Sequence, residues 1–340
     1  MEPITRKTSV GVIGAGYWGV NLIRNFDALP ACELKYVCDT NPARLEKYRH
    51  AYKHIEFVSD PETLFSDPAL EVVVIATPVR THFDLAKKAL LSGKHVFVEK
   101  PMTETSAQAR GLIALAREKK LILHVDHTFV YYGPVIKIKE LVDSGELGDL
   151  HYFDSQRINL GIIQPDVNVY WDLAPHDISI LNYLYDGVPK IVTAMGTQHI
   201  VKKNVELAHI TIQYESGFVA HIHVSWLSPV KLRQMTIGGR KKMIYFDDIH
   251  PFEKIKVYNK GVDLTETDLN TFEPVYRSGD VNIPLYDGRE ALERECSHFL
   301  ESVVSGEDTI TNGEAGLAVV RILEAADLSL LNGGSSIKLL

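Results

Sequence analysis

Lys100 is the first residue whose type and setting could do chemistry. It follows a run of apolar residues, comes directly after Glu99 and precedes Pro101. At the carboxyl end of a buried strand, removal from water favours the neutral form of a lysine, whereas a neighbouring glutamate favours the charged form. These opposing effects suit a residue that exchanges a proton during a reaction. The alternative is structural, with Lys100 bonding backbone carbonyls and pairing with Glu99.

Asp172 and His176 form a second candidate pair, because they are four residues apart. On a helix this spacing places both side chains on one face, so the carboxylate could orient the imidazole or stabilise its charge. Pro175 does not argue against a helix, since proline is tolerated in a first helical turn. The alternative for His176 is a capping or core histidine.

Three glycines, Gly14, Gly16 and Gly19, follow an apolar run with G-x-G-x-x-G spacing and precede a helical pattern. Gly14 would permit a tight turn, Gly16 a close backbone approach to a pyrophosphate, and Gly19 close packing of helix on strand. Asp39 ends the next apolar run, where a carboxylate can accept hydrogen bonds from ribose hydroxyls. The pattern predicts a dinucleotide site. The alternative is a glycine-rich turn beside an unrelated acid.

The composition limits the classes of partner. The chain has 340 residues, enough for two domains, and a formal net charge of −8 without a Lys/Arg cluster, which argues against a nucleic-acid surface. The first residues are too few and too polar for a signal peptide and no apolar run approaches bilayer length, so we expect a cytoplasmic protein without membrane contact. Cys32, Cys38 and Cys296 lack metal-site spacing, and we expect reduced core thiols.

Apolar runs alternate with amphipathic helical patterns up to about residue 125, which predicts a parallel sheet covered on both faces. The predicted strands are residues 10–14, 34–39, 72–76, 95–99 and 121–125. Ligands bind beyond the carboxyl ends of such strands, so we expect a site at Thr77-Pro78 and at Glu99-Lys100.

From about residue 191 the apolar period changes to two, which predicts an antiparallel sheet. Residues 215–217 are predicted to turn a hairpin that sets His209 opposite His223. His209, His221 and His223 could then cluster, but no acidic residue or thiol is evident as a further zinc ligand. We therefore predict no metal site and favour a polar subunit interface on this face.

Taken together, these motifs resemble the glucose-fructose oxidoreductase, inositol dehydrogenase and rhizopine-catabolism (Gfo/Idh/MocA) family. The resemblance covers nearly the whole chain and rests on Glu99-Lys100-Pro101, on Thr77-Pro78 followed by His82, and on Asp172-x-x-x-His176, with Ala174 where the family usually has glycine. It implies a nicotinamide-dependent α/β oxidoreductase with a Rossmann domain, a doubly wound parallel sheet, at residues 1–126. Residues 127–340 would form an α+β domain with an open, mainly antiparallel sheet that binds substrate and joins subunits into a dimer or tetramer. The helix at residues 289–304 would run back toward the cleft or the Rossmann domain.

The same resemblance implies roles for the candidate residues. His176 would accept the hydroxyl proton with Asp172 tuning it, and Lys100 would bind the same hydroxyl, although Lys100 could equally be the base. The residues expected to contact the cofactor are Gly14, Gly16, Tyr17, Trp18, Gly19, Asp39, Arg44, Thr77, Pro78, His82, Glu99 and Lys100. Asp39 would repel the 2′-phosphate of NADP, so NAD is the predicted cofactor even though Arg44 lies five residues on.

The segments that should line the substrate cleft combine flat aromatic faces with a fixed cation. The residues expected to bind substrate are Lys100, Tyr131, Tyr132, Arg157, Tyr170, Trp171 and His176. Aromatic faces suit a sugar ring or a nucleobase, and the Arg157 guanidinium can grip a phosphate or carboxylate in bidentate fashion. The alternative for Tyr131 and Tyr132 is packing under the helix that follows.

Within the family the chain looks most similar to nucleotide-sugar 3-dehydrogenases of amino-sugar pathways. That likeness rests on Gly16-Tyr17-Trp18-Gly19, on the block at residues 171–177 and on Glu295-Cys296-x-His298-Phe299. It implies oxidation of the 3-hydroxyl of UDP-N-acetylglucosamine, or next of its uronic acid, to a 3-keto sugar that a partner aminotransferase consumes in lipopolysaccharide or lipid A biosynthesis. The alternatives are a dehydrogenase of a free sugar or cyclitol such as myo-inositol, and a non-catalytic NAD-binding regulator.

Overall fold

The computed structural model describes residues 6–164, 167–201, 203–263 and 274–339. They form two compact units. The first contains the described residues through Tyr131 together with Arg289–Arg321, and the second contains Tyr132–Gly288 together with the described residues from Ile322 onward. The predicted division after residue 126 differs from this one, because a segment late in the chain belongs to the first unit.

The first unit is built on a six-stranded parallel sheet. Its strands are β1 Thr8–Ile13, β2 Cys32–Cys38, β3 Glu56–Val58, β4 Val72–Ile75, β5 His95–Glu99 and β6 Leu123–Asp126. They lie in the order β3-β2-β1-β4-β5-β6, and every pair of neighbours is parallel. This is the strand order of a Rossmann fold, so the predicted fold class is confirmed. The strand that periodicity missed is β3, since three residues are too few to show a period.

Helices cover both faces of this sheet because its strands are apolar on both sides. They are α1 Gly19–Ala28, α2 Pro42–Arg49, α3 Glu62–Ser66, α4 His82–Leu91 and α5 Ser106–Lys119. In β4, Val72 and Val74 belong to the same hydrophobic cluster as Phe26 of α1, whereas Val73 and Ile75 belong to the cluster on the opposite face. Burial on both faces is what a doubly wound sheet requires.

The helix at residues 291–305 completes one of these faces. The Phe299 ring lies edge to face with Phe26, at 6.5 Å between centroids, and with Phe97, at 5.4 Å. The prediction that this helix returns to the first unit is confirmed. Cys296 lies in the same hydrophobic cluster, and all three cysteines are free and buried, as predicted.

The second unit contains a nine-stranded sheet. Helices α6 Gly133–Asp143 and α7 Val169–Leu184 belong to the second unit. The helix of the first unit described above is α8 Ala291–Ser305, and the last helix is α9 Gly313–Leu331. The strands are β7 Leu150–Leu160, β8 Pro189–Thr197, β9 Leu207–Tyr214, β10 Val219–Ser225, β11 Leu227–Gly239, β12 Met243–Asp247, β13 Ile255–Asp263, β14 Val275–Asn282 and β15 Ile337–Lys338. Their order is β14-β13-β12-β11-β7-β10-β9-β8-β15, and only β7 and β10 among these neighbours are parallel. The mainly antiparallel sheet is therefore confirmed.

No helix within the described ranges combines the length and the apolar character that crossing a bilayer needs.

The hairpin of β9 and β10 has the predicted register. His209 lies opposite His223, and their rings stack with 4.1 Å between centroids. Ile210 and Ile222 are buried on the other face of the sheet. In the part of the chain that the structure describes, no three His, Cys, Asp or Glu side chains are grouped so as to hold a metal ion.

A buried ion pair fixes α7 to the sheet. Arg157 on β7 donates from Nε to Asp177 Oδ2 at 2.8 Å and from Nη2 to Oδ1 at 3.2 Å. Arg157 is 3% exposed and Asp177 is 1% exposed, so both charges are out of contact with bulk water. This pair sets the orientation of the helix that carries Asp172 and His176.

We expect Asp177→Asn to lower the free energy of unfolding by roughly 3 kcal/mol or more, because it removes the buried carboxylate charge that Arg157 faces. The matched control is Asp143→Asn, since Asp143 pairs with Lys139 on α6 and its side chain is 57% exposed. Such a surface pair contributes about 0.5 kcal/mol or less. Urea unfolding monitored by tryptophan fluorescence measures both variants. Equal unfolding midpoints would contradict a structural role for the buried pair.

Candidate active site

The turn between β1 and α1 needs glycine at three positions for two different reasons. Gly14 has φ +104°, and a Cβ there would lie 2.2 Å from the Ala76 carbonyl oxygen. A Cβ at Gly19 would lie 2.0 Å from the Gly14 carbonyl oxygen. A Cβ at Gly16 would come no closer than 3.9 Å to another residue. Packing within the protein therefore requires Gly14 and Gly19, whereas Gly16 leaves open space where a pyrophosphate backbone can approach.

The N-terminus of α1 faces this open space. Trp18 precedes the helix without a side-chain cap, and the first turn contains no acidic residue. Tyr17 is 88% exposed and Trp18 is 39% exposed. Uncapped N–H groups and the positive end of the helix dipole suit a phosphate group. The residues present therefore fit the pyrophosphate of a dinucleotide.

Asp39 lies beside the glycine turn at the end of β2. Its Oδ2 accepts the Ala15 N–H at 2.9 Å and its Oδ1 accepts the Asn41 N–H at 2.8 Å. Arg44 Nη1 lies 3.4 Å from Oδ2, and the Arg44 side chain is 54% exposed. The carboxylate is held rigidly, and Oδ1, which accepts a single hydrogen bond from the described residues, has a further lone pair for a ribose hydroxyl.

Thr77 and Pro78 follow β4. The His82 side chain contacts the backbone of this turn from inside the protein and is not exposed to a ligand. His82 is 1% exposed. Its Nε2 lies 2.7 Å from the Thr77 carbonyl oxygen and its Nδ1 lies 2.9 Å from the Pro101 carbonyl oxygen. Burial lowers the pKa of His82. The prediction that His82 contacts the cofactor is thus corrected: it joins the turn after β4 to the turn after β5.

Glu99 and Lys100 end β5 at the same edge of the sheet. The Glu99 side chain is buried and its Oε2 accepts the backbone N–H of Lys100 at 3.0 Å. Glu99 is therefore buried directly before Lys100, and its contact with the cofactor stays a prediction. Lys100 is partly exposed, at the position where ligands of parallel sheets bind.

Sequence reasoning missed Asp126, which is the last residue of β6, and His127, which follows it. Asp126 is paired with Glu99 in the parallel register, and Asp126 and His127 are each 1% exposed. Burial is the main reason that the pKa of His127 falls to about 3, and the charge of Lys100 acts in the same direction. The available signal was an acid and a histidine at the end of a buried strand, the criterion that selected Glu99 and Lys100.

In the second unit, α7 carries the other candidate pair. Asp172 and His176 are one turn apart, so their side chains leave the same face of the helix. The indole N–H of Trp226 donates to Asp172 Oδ2 at 3.3 Å. The helix begins at Val169, so Pro175 lies inside the helix and not in its first turn, where the sequence analysis had allowed for it.

Three predicted substrate contacts are already engaged inside the second unit. Arg157 is bonded to Asp177 as described, so its assignment as a grip for a substrate anion is corrected. Tyr170 is 2% exposed and its hydroxyl donates to Asp327 Oδ1, which corrects its assignment to the cleft. The Trp171 indole N–H also donates to Asp327, at 3.0 Å, but its ring is partly exposed.

Tyr131 and Tyr132, the residues on either side of the division in the sequence, differ in their burial. Tyr131 is 2% exposed, its hydroxyl lies 3.4 Å from Thr311 Oγ1 and its ring lies 5.5 Å from that of His298. This packing agrees with the structural alternative for Tyr131 and corrects its assignment as a substrate contact. Tyr132 is partly exposed, and its ring lies edge to face with Phe246 at 6.5 Å.

The chain matches family models over both units. Residues 8–127 match the model described as an oxidoreductase family with an NAD-binding Rossmann fold, and residues 135–245 match the GFO/IDH/MocA C-terminal domain. A solved structure of GenD2 from gentamicin A biosynthesis, in complex with NAD, superposes with a TM-score of 0.84 at 20% identity, covering 100% of this chain and 98% of that one. At that identity the likeness shows the fold.

Three curated relatives illustrate the range of similarity. The uncharacterized oxidoreductase YdgJ of Escherichia coli is 36% identical over 243 residues, which cover 68% of this chain and 69% of the relative. The NADP-dependent scyllo-inositol 2-dehydrogenase IolW of Bacillus subtilis is 28% identical, covering 93% of this chain and 92% of the relative. The UDP-N-acetylglucosamine 3-dehydrogenase of Acidithiobacillus ferrooxidans is 26% identical, covering 93% and 94%.

These matches agree with the strand order, the glycine turn and the Lys100 position that the structure shows. Both family models that match the chain belong to one family, and one relative is more than 30% identical over two thirds of its length. These findings determine the family. The chain belongs to the Gfo/Idh/MocA family of NAD-binding oxidoreductases.

Proposed function

We propose that this enzyme oxidises the 3-hydroxyl of a nucleotide sugar, with UDP-N-acetylglucosamine favoured and its uronic acid next. The family acts on CH–OH groups, and NAD, when bound, accepts the hydride from the carbinol carbon. The observation that carries the proposal is the presence of a lysine at the end of β5 together with an Asp172–His176 pair on one face of α7. A regulator that had lost the chemistry would not need this set.

The chain's own residues divide the work as follows. His176 accepts the hydroxyl proton as the hydride leaves, because a neutral imidazole is a base suited to neutral pH. Asp172, held by the Trp226 indole N–H, orients that imidazole and stabilises its charged form. Lys100 donates a hydrogen bond to the substrate oxygen.

The choice of substrate rests on motif resemblance and on the 26% identical UDP-N-acetylglucosamine 3-dehydrogenase. Arg157 adds nothing to this choice, because its guanidinium is bound to Asp177. Tyr132 and Trp171, with partly exposed rings, remain the aromatic faces proposed to contact the sugar or base. The runner-up is a free sugar or cyclitol, which the 28% identical scyllo-inositol dehydrogenase supports. We further propose that the subunits associate through the sheet of the second unit and that an aminotransferase consumes the keto sugar.

NADH formation with a panel of substrates tests this proposal. We expect turnover with UDP-N-acetylglucosamine or its uronic acid, increased by a pyridoxal-phosphate aminotransferase and glutamate, since removal of the ketone draws an unfavourable oxidation forward. Myo-inositol and glucose serve as the competing substrates. Turnover with a free polyol and none with either nucleotide sugar would replace the proposal with its runner-up, and no turnover with any of them would favour a regulator.

We expect Lys100→Met and His176→Ala each to lower kcat by about a hundredfold or more, because each removes a group that acts on the hydroxyl. NAD affinity, measured by fluorescence titration, should change little. The exposed residues Lys47 and His151 provide matched controls, and Lys47→Met and His151→Ala should keep normal kcat. A normal kcat in both site variants would refute the assigned roles.

We expect NAD to bind more tightly than NADP, because the Asp39 carboxylate repels a 2′-phosphate. Asp39→Asn should reduce this preference by about tenfold, which corresponds to roughly 1.4 kcal/mol. Glu46→Gln, which removes an exposed charge on α2, is the control that should leave the preference unchanged. Tighter binding of NADP by the wild-type protein would show that Arg44 decides the preference instead.

A further inference from the structure

Three carboxyl groups meet inside the first unit, next to Lys100. Glu99 ends β5, Asp126 ends β6 as its paired neighbour, and Glu295 comes from α8. Their exposed fractions are 6%, 1% and 0%. Asp126 lies close enough to both glutamates for its charge to act on each of them. Three ionised carboxylates cannot lie this close in a buried place without strong repulsion, so part of the group must be protonated.

The hydrogen-bond donors around the cluster show how many of its carboxyl groups must be protonated. Glu99 Oε2 accepts the next backbone N–H at 3.0 Å, Asp126 Oδ1 accepts a neighbouring hydroxyl, and Glu295 Oε1 lies 3.0 Å from His124 Nε2. The remaining oxygens, Glu99 Oε1, Asp126 Oδ2 and Glu295 Oε2, are buried and have no N–H or hydroxyl donor within the described ranges. One proton on each glutamate satisfies all three oxygens, because both acids then donate to Asp126.

The surrounding charges agree with this count. Burial, followed by the charge of Asp126, raises the pKa of Glu99 and of Glu295 well above the usual range, and Lys100 opposes this only at Glu99. Neighbouring titratable groups stay neutral near pH 7, because burial lowers the pKa of the histidines and raises that of the phenol and the thiol. These groups are His124, His127, His298, Tyr131 and Cys296.

A buried histidine whose ring nitrogens have no partner within the described ranges lies beside the cluster. His127 follows Asp126, is 1% exposed, and neither of its ring nitrogens has a hydrogen-bond partner in the described part of the chain. The charge of Lys100 contributes to the lowered pKa of this ring, so the two side chains are near each other. Buried polar atoms in native proteins are normally satisfied by protein, water or ligand. His127 is therefore a buried polar group near Lys100 that the described residues leave unsatisfied.

We propose that Glu99 and Glu295 are positioning residues that each hold one proton, leaving Asp126 as the single negative charge of the cluster behind Lys100. This rests on the proposed function, in which Lys100 binds the hydroxyl that is oxidised. Glu99 fixes the backbone N–H of Lys100, and Glu295 fixes Asp126 from α8. The protonated glutamates prevent a threefold negative charge that would draw the ammonium away from the substrate oxygen.

Amide variants distinguish neutral glutamates from charged ones. Glu99→Gln and Glu295→Gln keep one donor and one acceptor without adding or removing charge, so the basic limb of the pH–kcat profile, at which the Lys100 ammonium of the proposed function loses its proton, should stay in place. Asp126→Asn removes the single charge and should move that limb to lower pH by roughly one unit or more, since a nearby negative charge favours protonation. A shift in the glutamine variants equal to that of Asp126→Asn would show that the glutamates are ionised and would overturn the proposal.

The number of protonated carboxyl groups can be measured by infrared spectroscopy without any turnover. This measurement therefore tests the present proposal independently of the proposed function. Infrared difference spectra of the full chain should show two protonated carboxylic acids near neutral pH, and each glutamine variant should lose one of them. Glu104→Gln, at an exposed glutamate, should lose none. Unchanged carbonyl bands in both cluster variants would overturn the proposal even if Asp126→Asn fails to fold. If the bands behave as expected while no sugar is oxidised, the proton count holds and the proposed function fails.

Discussion

The first unit depends on how closely the turn after β1 approaches the end of β4. Side-chain carbons at Gly14 and Gly19 would each fall within 2.2 Å of a backbone oxygen, so the turn rests directly on main-chain atoms. Asp39 closes the turn from the other side through the Ala15 N–H. His82 then links the ends of β4 and β5. A chain of backbone contacts therefore fixes the edge of the sheet at which the glycine turn, Asp39 and Lys100 lie.

Periodicity and spacing were enough to predict most of this fold. Runs such as Val72–Ile75 are apolar at every position, which is typical of strands buried on both faces, and the alternation around His209 and His223 gave the correct hairpin register. The glycine spacing likewise predicted the turn that the structure contains. These features could be predicted because each depends on residues that are close together in the sequence.

The errors concern interactions between residues far apart in the sequence. Arg157 appeared available for a substrate because nothing near it in sequence is acidic at the right distance, whereas its partner is Asp177 on α7. Tyr170 is bound to Asp327, more than 150 residues later. The cluster of Glu99, Asp126 and Glu295 also joins three separate elements. A residue type shows what a side chain can do, but its partner decides whether that capacity is still available, and sequence alone does not identify the partner.

The return of α8 to the first unit has a consequence for synthesis of the chain on the ribosome. Growing chains usually fold domain by domain from the N-terminus. Here the sheet of the first unit emerges early, yet the face around Phe26 and Phe97 lacks the cover that Phe299 provides until α8 has been synthesised, after strands β7 to β14 of the second unit. The dinucleotide-binding unit thus begins to fold before the second unit and is completed only after the strands β7 to β14 have been made, and its uncovered apolar face is the surface a chaperone would have to shield meanwhile.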